Sequence, residues 1–228
     1  DGRVHVIDGD TFDYLGLIST GMFGLTALSN DSSQMYVATT YYSKRNRGTR
    51  FDQFEAYSTT DLSLVSEVEI PAKHAQALPY KGTLMSSIDD RFVFIQNATP
   101  ASSITVVDRS AQKFVAEIAT PGCWIVLPAV SYARRFATLC GDGTLLTVTL
   151  DEHGVAASQQ RSEKLFDAEK DPLFVQAERL GDVYYFVSYE GDVHAINVAG
   201  EVAISTQQWS LLNDEDRAAH WKPGGYQL

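Results

Sequence analysis

Two cysteines, Cys123 and Cys140, stand seventeen positions apart in "GCWIVLPAVSYARRFATLCGDGTLLTVTL", and the 228-residue sequence has no others. Three chemistries could use such a pair. A zinc site needs about four ligands, commonly with C-x2-C spacing. No such spacing occurs, and His5, His74, His153, His194 and His220 are scattered. A redox dithiol reads C-x-x-C, which is also absent. A structural disulfide is the third. Trp124 to Leu127 reads as one strand, Arg135 to Cys140 as the next, and a turn near Ser131-Tyr132 sets positions 123 and 140 opposite each other. Facing residues of an antiparallel pair come close enough to bond. Such a bond implies an oxidising compartment. Two buried free thiols, packing as small hydrophobes, are the competing reading.

A second cluster is cationic. "YYSKRNRGTRF" carries Lys44, Arg45, Arg47 and Arg50 among Tyr41, Tyr42 and Phe51. It reads as a long hairpin loop that meets an acidic partner, or as a solvated hairpin tip. Nucleic acid is a poor partner, because the chain has a formal net charge of -11 and an isoelectric point near 4.8. No apolar run approaches the 18 residues a membrane helix needs, so no membrane-crossing helix is expected. The sequence opens at Asp1-Gly2-Arg3, already strand-like, and the start reads as processed or truncated.

The elements that must position these residues repeat. Val4–Ile18, Phe54–Ile70, Ile104–Ile118, Leu145–Ser158 and Val193–Ser205 share one pattern of strand, polar turn and strand. Their turn residues Asp8, Ser58, Asp108, Asp151 and Asn197 recur every 43 to 50 positions. Further strand pairs, Leu25–Thr40, Leu84–Ala98, Ile125–Cys140 and Phe174–Ser188, fall before the later copies. Four strands per repeat of this length predict an all-β fold, a β-propeller of four-stranded blades. The chain should cover about four to five blades as one domain over 1–228, incomplete at both ends. A β-sandwich is the competing fold.

Helical periodicity is confined to the tail. Asn213 reads as an N-cap, Asp214 to Asp216 as an acidic first turn, and Arg217 to His220 as the rest of a short helix. Pro223 and Gly224-Gly225 stop it, before a strand beginning at Tyr226. Asn30-Asp31-Ser32 and Asn97-Ala98-Thr99 match the glycosylation pattern by chance. Trp124, Trp209 and Trp221 read as core or interface packing. No nucleophile elbow, phosphate loop or metalloprotease motif is present.

"RGTRFDQFEAY", "QNATPASSITVVD", "GCWIVLP", "CGDGTLLTVTL" and "WSLLNDEDRAAHWKPGGYQL" resemble the heavy (alpha) subunit of quinoprotein amine dehydrogenases. The resemblance is closer to aromatic amine dehydrogenase than to methylamine dehydrogenase, and it runs in order along the whole sequence. It implies a seven-bladed propeller in the periplasm, an α2β2 heterotetramer with a small subunit, and a disulfide between Cys123 and Cys140. No cofactor is implied on this chain: tryptophan tryptophylquinone and the catalytic base belong to the small subunit, so no catalytic residue is expected here. Implied too is electron transfer to a cupredoxin such as azurin or amicyanin. From its own charges and aromatics the cationic loop is expected to contact another chain, with Tyr41, Tyr42, Arg47, Arg50 and Phe51 at that subunit interface. The residues alone also fit a non-enzymatic propeller used as a protein-binding platform.

Overall fold

The computed structural model describes residues 2–76 and 80–224. Among these residues, short alternating and apolar runs become eighteen strands. β1 (Gly2–Ile7) and β2 (Tyr14–Thr20) form a hairpin. Four antiparallel meanders follow in sequence order. The first is β3 (Met22–Leu28), β4 (Gln34–Tyr42), β5 (Arg50–Ser58) and β6 (Leu64–Ile70). The second is β7 (Leu84–Ser86), β8 (Phe92–Asn97), β9 (Ser103–Asp108) and β10 (Lys113–Ala119). The third is β11 (Cys123–Pro128), β12 (Arg135–Cys140), β13 (Leu145–Leu150) and β14 (Ala156–Arg161). The fourth is β15 (Leu173–Leu180), β16 (Val183–Ser188), β17 (Asp192–Asn197) and β18 (Ile204–Ser210). The all-β propeller reading therefore holds, and the predicted strand pairs fall where the repeat put them.

The middle strands of a blade are buried on both faces, which is why "FVFIQN" and "LLTVTL" are nearly continuous apolar runs. Alternate residues serve different neighbours. In β8, Val93 and Ile95 join Tyr36, Phe54 and Ile70 of the first sheet. Phe92 and Phe94 instead meet Phe136, Leu146 and Val148 of the third, with the Phe94 and Phe136 rings 4.8 Å apart. A third cluster joins Leu139 and Leu145 to Phe186 and Ile196, and a smaller one joins Ile18 to Met35 and Val37. No blade buries both faces alone. Truncating a fully enclosed ring such as Phe94 should cost about 3–5 kcal/mol.

The repeated turn residue has one job. Its side-chain oxygen accepts amide hydrogens from the turn it opens, which substitutes for strand pairing where the chain reverses. Asp8 accepts from Asp10 and Thr11, Ser58 from Thr60 and Asp61, and Asp108 from Ala111. Asp151 accepts from His153 and Val155, and Asn197 from Ala199. Both glycosylation matches are spent internally. The Asn30 amide nitrogen donates to Ser86, Ser87 and Asp90 of the next sheet, and that of buried Asn97 to Ser103 and Thr105.

A meander places its first and last hairpin turns at one rim. Its central turn and the connector to the next sheet lie at the other. Helix α1 (Asp214–Ala218) follows β18 at this connector rim. Asn213 caps it, accepting from Glu215 and Asp216 while Asp216 accepts from the Asn213 amide. The helix is shorter than its sequence pattern suggests. It ends at Ala218, and His220 adopts a left-handed φ of 58°. The strand anticipated at Tyr226 lies outside the described residues. Trp221 is largely exposed rather than core. Trp209 meets Tyr185 edge-on from an exposed strand, and Trp124 packs against the core between the third and fourth sheets.

Candidate subunit interface

Cys123 and Cys140 are bonded to each other, with Cα atoms 3.9 Å apart. They face across β11 and β12. Their own amides donate elsewhere, to Thr120 and Thr144, while Gly141 donates to Gly122. This is the non-hydrogen-bonded type of antiparallel pair, in which the backbones approach most closely. The sulfurs are buried in the core between the second and third sheets, so the bond staples the connector-rim end of one blade.

The cationic cluster is built differently from its sequence reading. β3 pairs with β4 as far as Thr40, and β6 with β5 as far as Asp52. Two further rungs, Tyr41 with Phe51 and Tyr42 with Arg50, continue beyond the sheet. Tyr41, Tyr42, Arg50 and Phe51 are thus strand residues of a two-stranded arm, and only 43–49 form its loop. The loop is closed by Ser43 donating to Thr49, Thr49 to the Ser43 hydroxyl, and Lys44 to Arg47. Gly48 has a φ of 96°, and a Cβ there would lie 2.4 Å from Ser43 Oγ, so this turn requires glycine.

Strand alternation sends the side chains at the arm's base to two faces, and each face ends on a buried carboxylate. On one, Arg50 Nε and Nη2 donate to the two oxygens of Asp52 at 2.7 and 2.6 Å. Asp52 also accepts from Thr40 at 2.8 Å, and from the backbone amide of His74 at 3.2 Å. The His74 ring spans from Asp52, 2.7 Å from Nδ1, to the Phe23 carbonyl, 3.2 Å from Nε2. Burial pushes the Asp52 carboxyl up, but the hydrogen bonds from His74 and Arg50 outweigh it and hold the group at about 2. On the other face, buried Glu55 accepts from the hydroxyls of Tyr41 and Tyr57 at 2.8 and 2.9 Å. There burial prevails, and the Glu55 carboxyl stays above its usual range.

Arg50 and Tyr41 both make contacts within the chain: Arg50 Nε and Nη2 on Asp52, and the Tyr41 hydroxyl on Glu55. Arg50 is a bidentate partner of its own chain's Asp52, the fork geometry that favours arginine over lysine. Arg47 is exposed, Phe51 is 37% exposed, and Tyr42 is half-buried. The cysteine pair lies in another sheet and takes no part in the arm. Asp52, Glu55 and His74 were missed in the sequence. The available signal was two carboxylates set within a strand otherwise rich in aromatics, "RFDQFEAYS".

Four-stranded sheets stacked through shared cores, elaborated at one rim by an arm and a tail helix, define a β-propeller. The sequence profile of the methylamine dehydrogenase heavy chain (MADH) family matches residues 2–228. The chain belongs to that family. It is 27% identical over 232 residues to the methylamine dehydrogenase heavy chain of Methylophilus methylotrophus, covering 98% of this chain and 55% of the relative. It is 25% identical to that of Methylobacillus flagellatus, covering 99% and 56%, and 24% identical to that of Paracoccus versutus, covering 97% and 52%. The chain spans about half the length of these curated relatives. Among solved structures, a complex of KlAtg21 with the coiled coil of AgAtg16 superposes with a TM-score of 0.62 at 10% identity, over 91% of this chain and 65% of that one. At that identity the likeness concerns fold alone.

Proposed function

We propose that this chain is part of the non-catalytic heavy subunit of a periplasmic quinoprotein amine dehydrogenase. The enzyme oxidatively deaminates primary amines, aromatic ones by preference, to aldehydes and ammonia. The family match over 2–228 carries this reading. The quinone, tryptophan tryptophylquinone, resides on a small partner subunit in an α2β2 assembly, where it supplies an electrophilic carbonyl for the amine and stores two electrons. A cupredoxin such as azurin or amicyanin then receives them singly. Trp124, Trp209 and Trp221 sit in three separate environments and are not assigned to the quinone. This chain's contribution is a rigid support, with Tyr41, Tyr42, Arg47, Arg50 and Phe51 belonging to the arm that reaches the small subunit. The disulfide between Cys123 and Cys140 fits an oxidising compartment.

The test is to purify the native complex containing this chain. A small cysteine-rich subunit should co-purify, with a visible absorption band that amine bleaches, and the isolated heavy chain should show no amine oxidation. A preparation with neither band nor small subunit would return the chain to the alternative, a non-enzymatic binding platform.

A further inference from the structure

The arm formed by β4 and β5 combines three features. It extends two rungs past its sheet. Its base is fixed on both faces, by Arg50 on Asp52 and by Tyr41 on Glu55. Its tip carries Lys44, Arg45 and Arg47, all exposed, and among the described residues none of these three side chains has an ion-pair or hydrogen-bond partner. Cations elsewhere are commonly neutralised within the chain: Lys73 by Glu117, Arg91 by Asp108, Arg161 by Asp142 and Arg217 by Asp192. Without the three tip cations the formal net charge would fall from -11 to -14. An acidic protein thus concentrates unpaired positive charge on one braced projection, where the like charges repel one another.

We propose that this arm is a preorganised docking element whose tip engages a discrete acidic patch on the small partner subunit, with Tyr42 and Phe51 supplying apolar area beside it. The proposal rests on the functional reading above for the identity of the partner. A folded protein suits the arm better than an extended polyanion. Nucleic acid or an anionic membrane approaching this rim would also meet the negative remainder of the chain, whereas a compact patch meets the tip alone. Bracing the base in advance lowers the ordering cost of binding. Arg50 and Tyr41 act as positioning residues: they hold the arm without touching the partner.

The test compares the wild-type chain with Lys44→Glu/Arg45→Glu/Arg47→Glu. All three sites are exposed, and circular dichroism should be unchanged. Binding of the small subunit isolated from the native complex should weaken about tenfold or more at low salt. Added salt should weaken the wild type towards the variant. Equal affinity of the two chains at low salt would overturn the arm's role and leave the functional reading standing. A wild-type chain that does not bind the small subunit at all would overturn both. Charge-dependent binding of heparin or phosphatidylglycerol vesicles that exceeds binding of the small subunit would replace the protein partner with a polyanion. Loss of self-association in the variant, with small-subunit binding intact, would make a second copy the occupant and overturn the proposal.

Discussion

His194 and Asp52 are both buried polar side chains, and their surroundings treat them oppositely. Asp52 is met by Arg50, Thr40 and His74. His194 is 4% exposed, and neither ring nitrogen makes a hydrogen bond of good geometry. Burial holds its pKa below the ordinary 6.5, against the pull of Asp171, Asp192 and the Leu165 backbone. The unfolded chain therefore takes a proton near pH 6.5 while the folded chain resists it. Stability tied to this group is complete above 6.5 and is lost as pH falls from there towards the lowered value. His194→Leu removes the unpaired nitrogens while keeping the bulk. Urea unfolding should find it within about 1 kcal/mol of wild type at pH 7 and more stable than wild type at pH 5.5. Parallel behaviour of the two proteins across that range would refute this account. Sequence showed the cysteine pair because its partners share one hairpin. The role of His74 was hidden, because Asp52 lies 22 positions away and Phe23 lies 51 away, and only a connector crossing the rim joins them.

Among the elements, hairpins were the most legible. Turn chemistry is local, so Asp8, Asp108 and Asp151 announced their turns through residue type and recurrence alone. The direction in which a strand faces is not local. Arg50 and Asp52, two apart, must share a face, but nothing within "RFDQF" says that this face turns inward until the neighbouring sheet covers it. The tail helix showed the same division: its N-cap and acidic first turn were plain from Asn213 to Asp216, while its early end depends on the left-handed turn at His220. The β11–β12 hairpin carries the element-scale prediction. Its disulfide closes a sequence separation of 17, for which loop-closure entropy gives about 3 kcal/mol. Cys123→Ala/Cys140→Ala should lose about that much in denaturant unfolding. Hydrogen exchange should accelerate first in β11 to β14 and leave the first sheet protected. A uniform acceleration across all sheets would show that the staple acts on the whole molecule.

Over the whole molecule, stacked sheets with one apolar cluster per junction make each blade depend on its neighbours, while each hairpin still closes its own turn. The acceptors of those turns are not chemically equivalent. Asp8, Asp108 and Asp151 are carboxylates held below the ordinary 3.8. For Asp8 and Asp151 the largest cause is a turn amide, and for Asp108 the Ser110 and Ala111 hydrogen bonds overcome burial. Asn197, in the same position of the last sheet, is a neutral amide that takes up no proton. The carboxylate turns contribute stability that is present above 3.8 and lost as pH falls through their lowered values. Amide exchange measured below pH 3.8 should therefore quicken at Asp10, Thr11, Ala111 and His153 before it quickens at Ala199. Simultaneous loss at all five sites would place the acid response elsewhere. The turns opened by Ser58 and Asn197 carry no such proton switch, so a single Asp-to-Asn or Asp-to-Ser difference, repeated or omitted blade by blade, grades the order in which a propeller's outer turns loosen in acid.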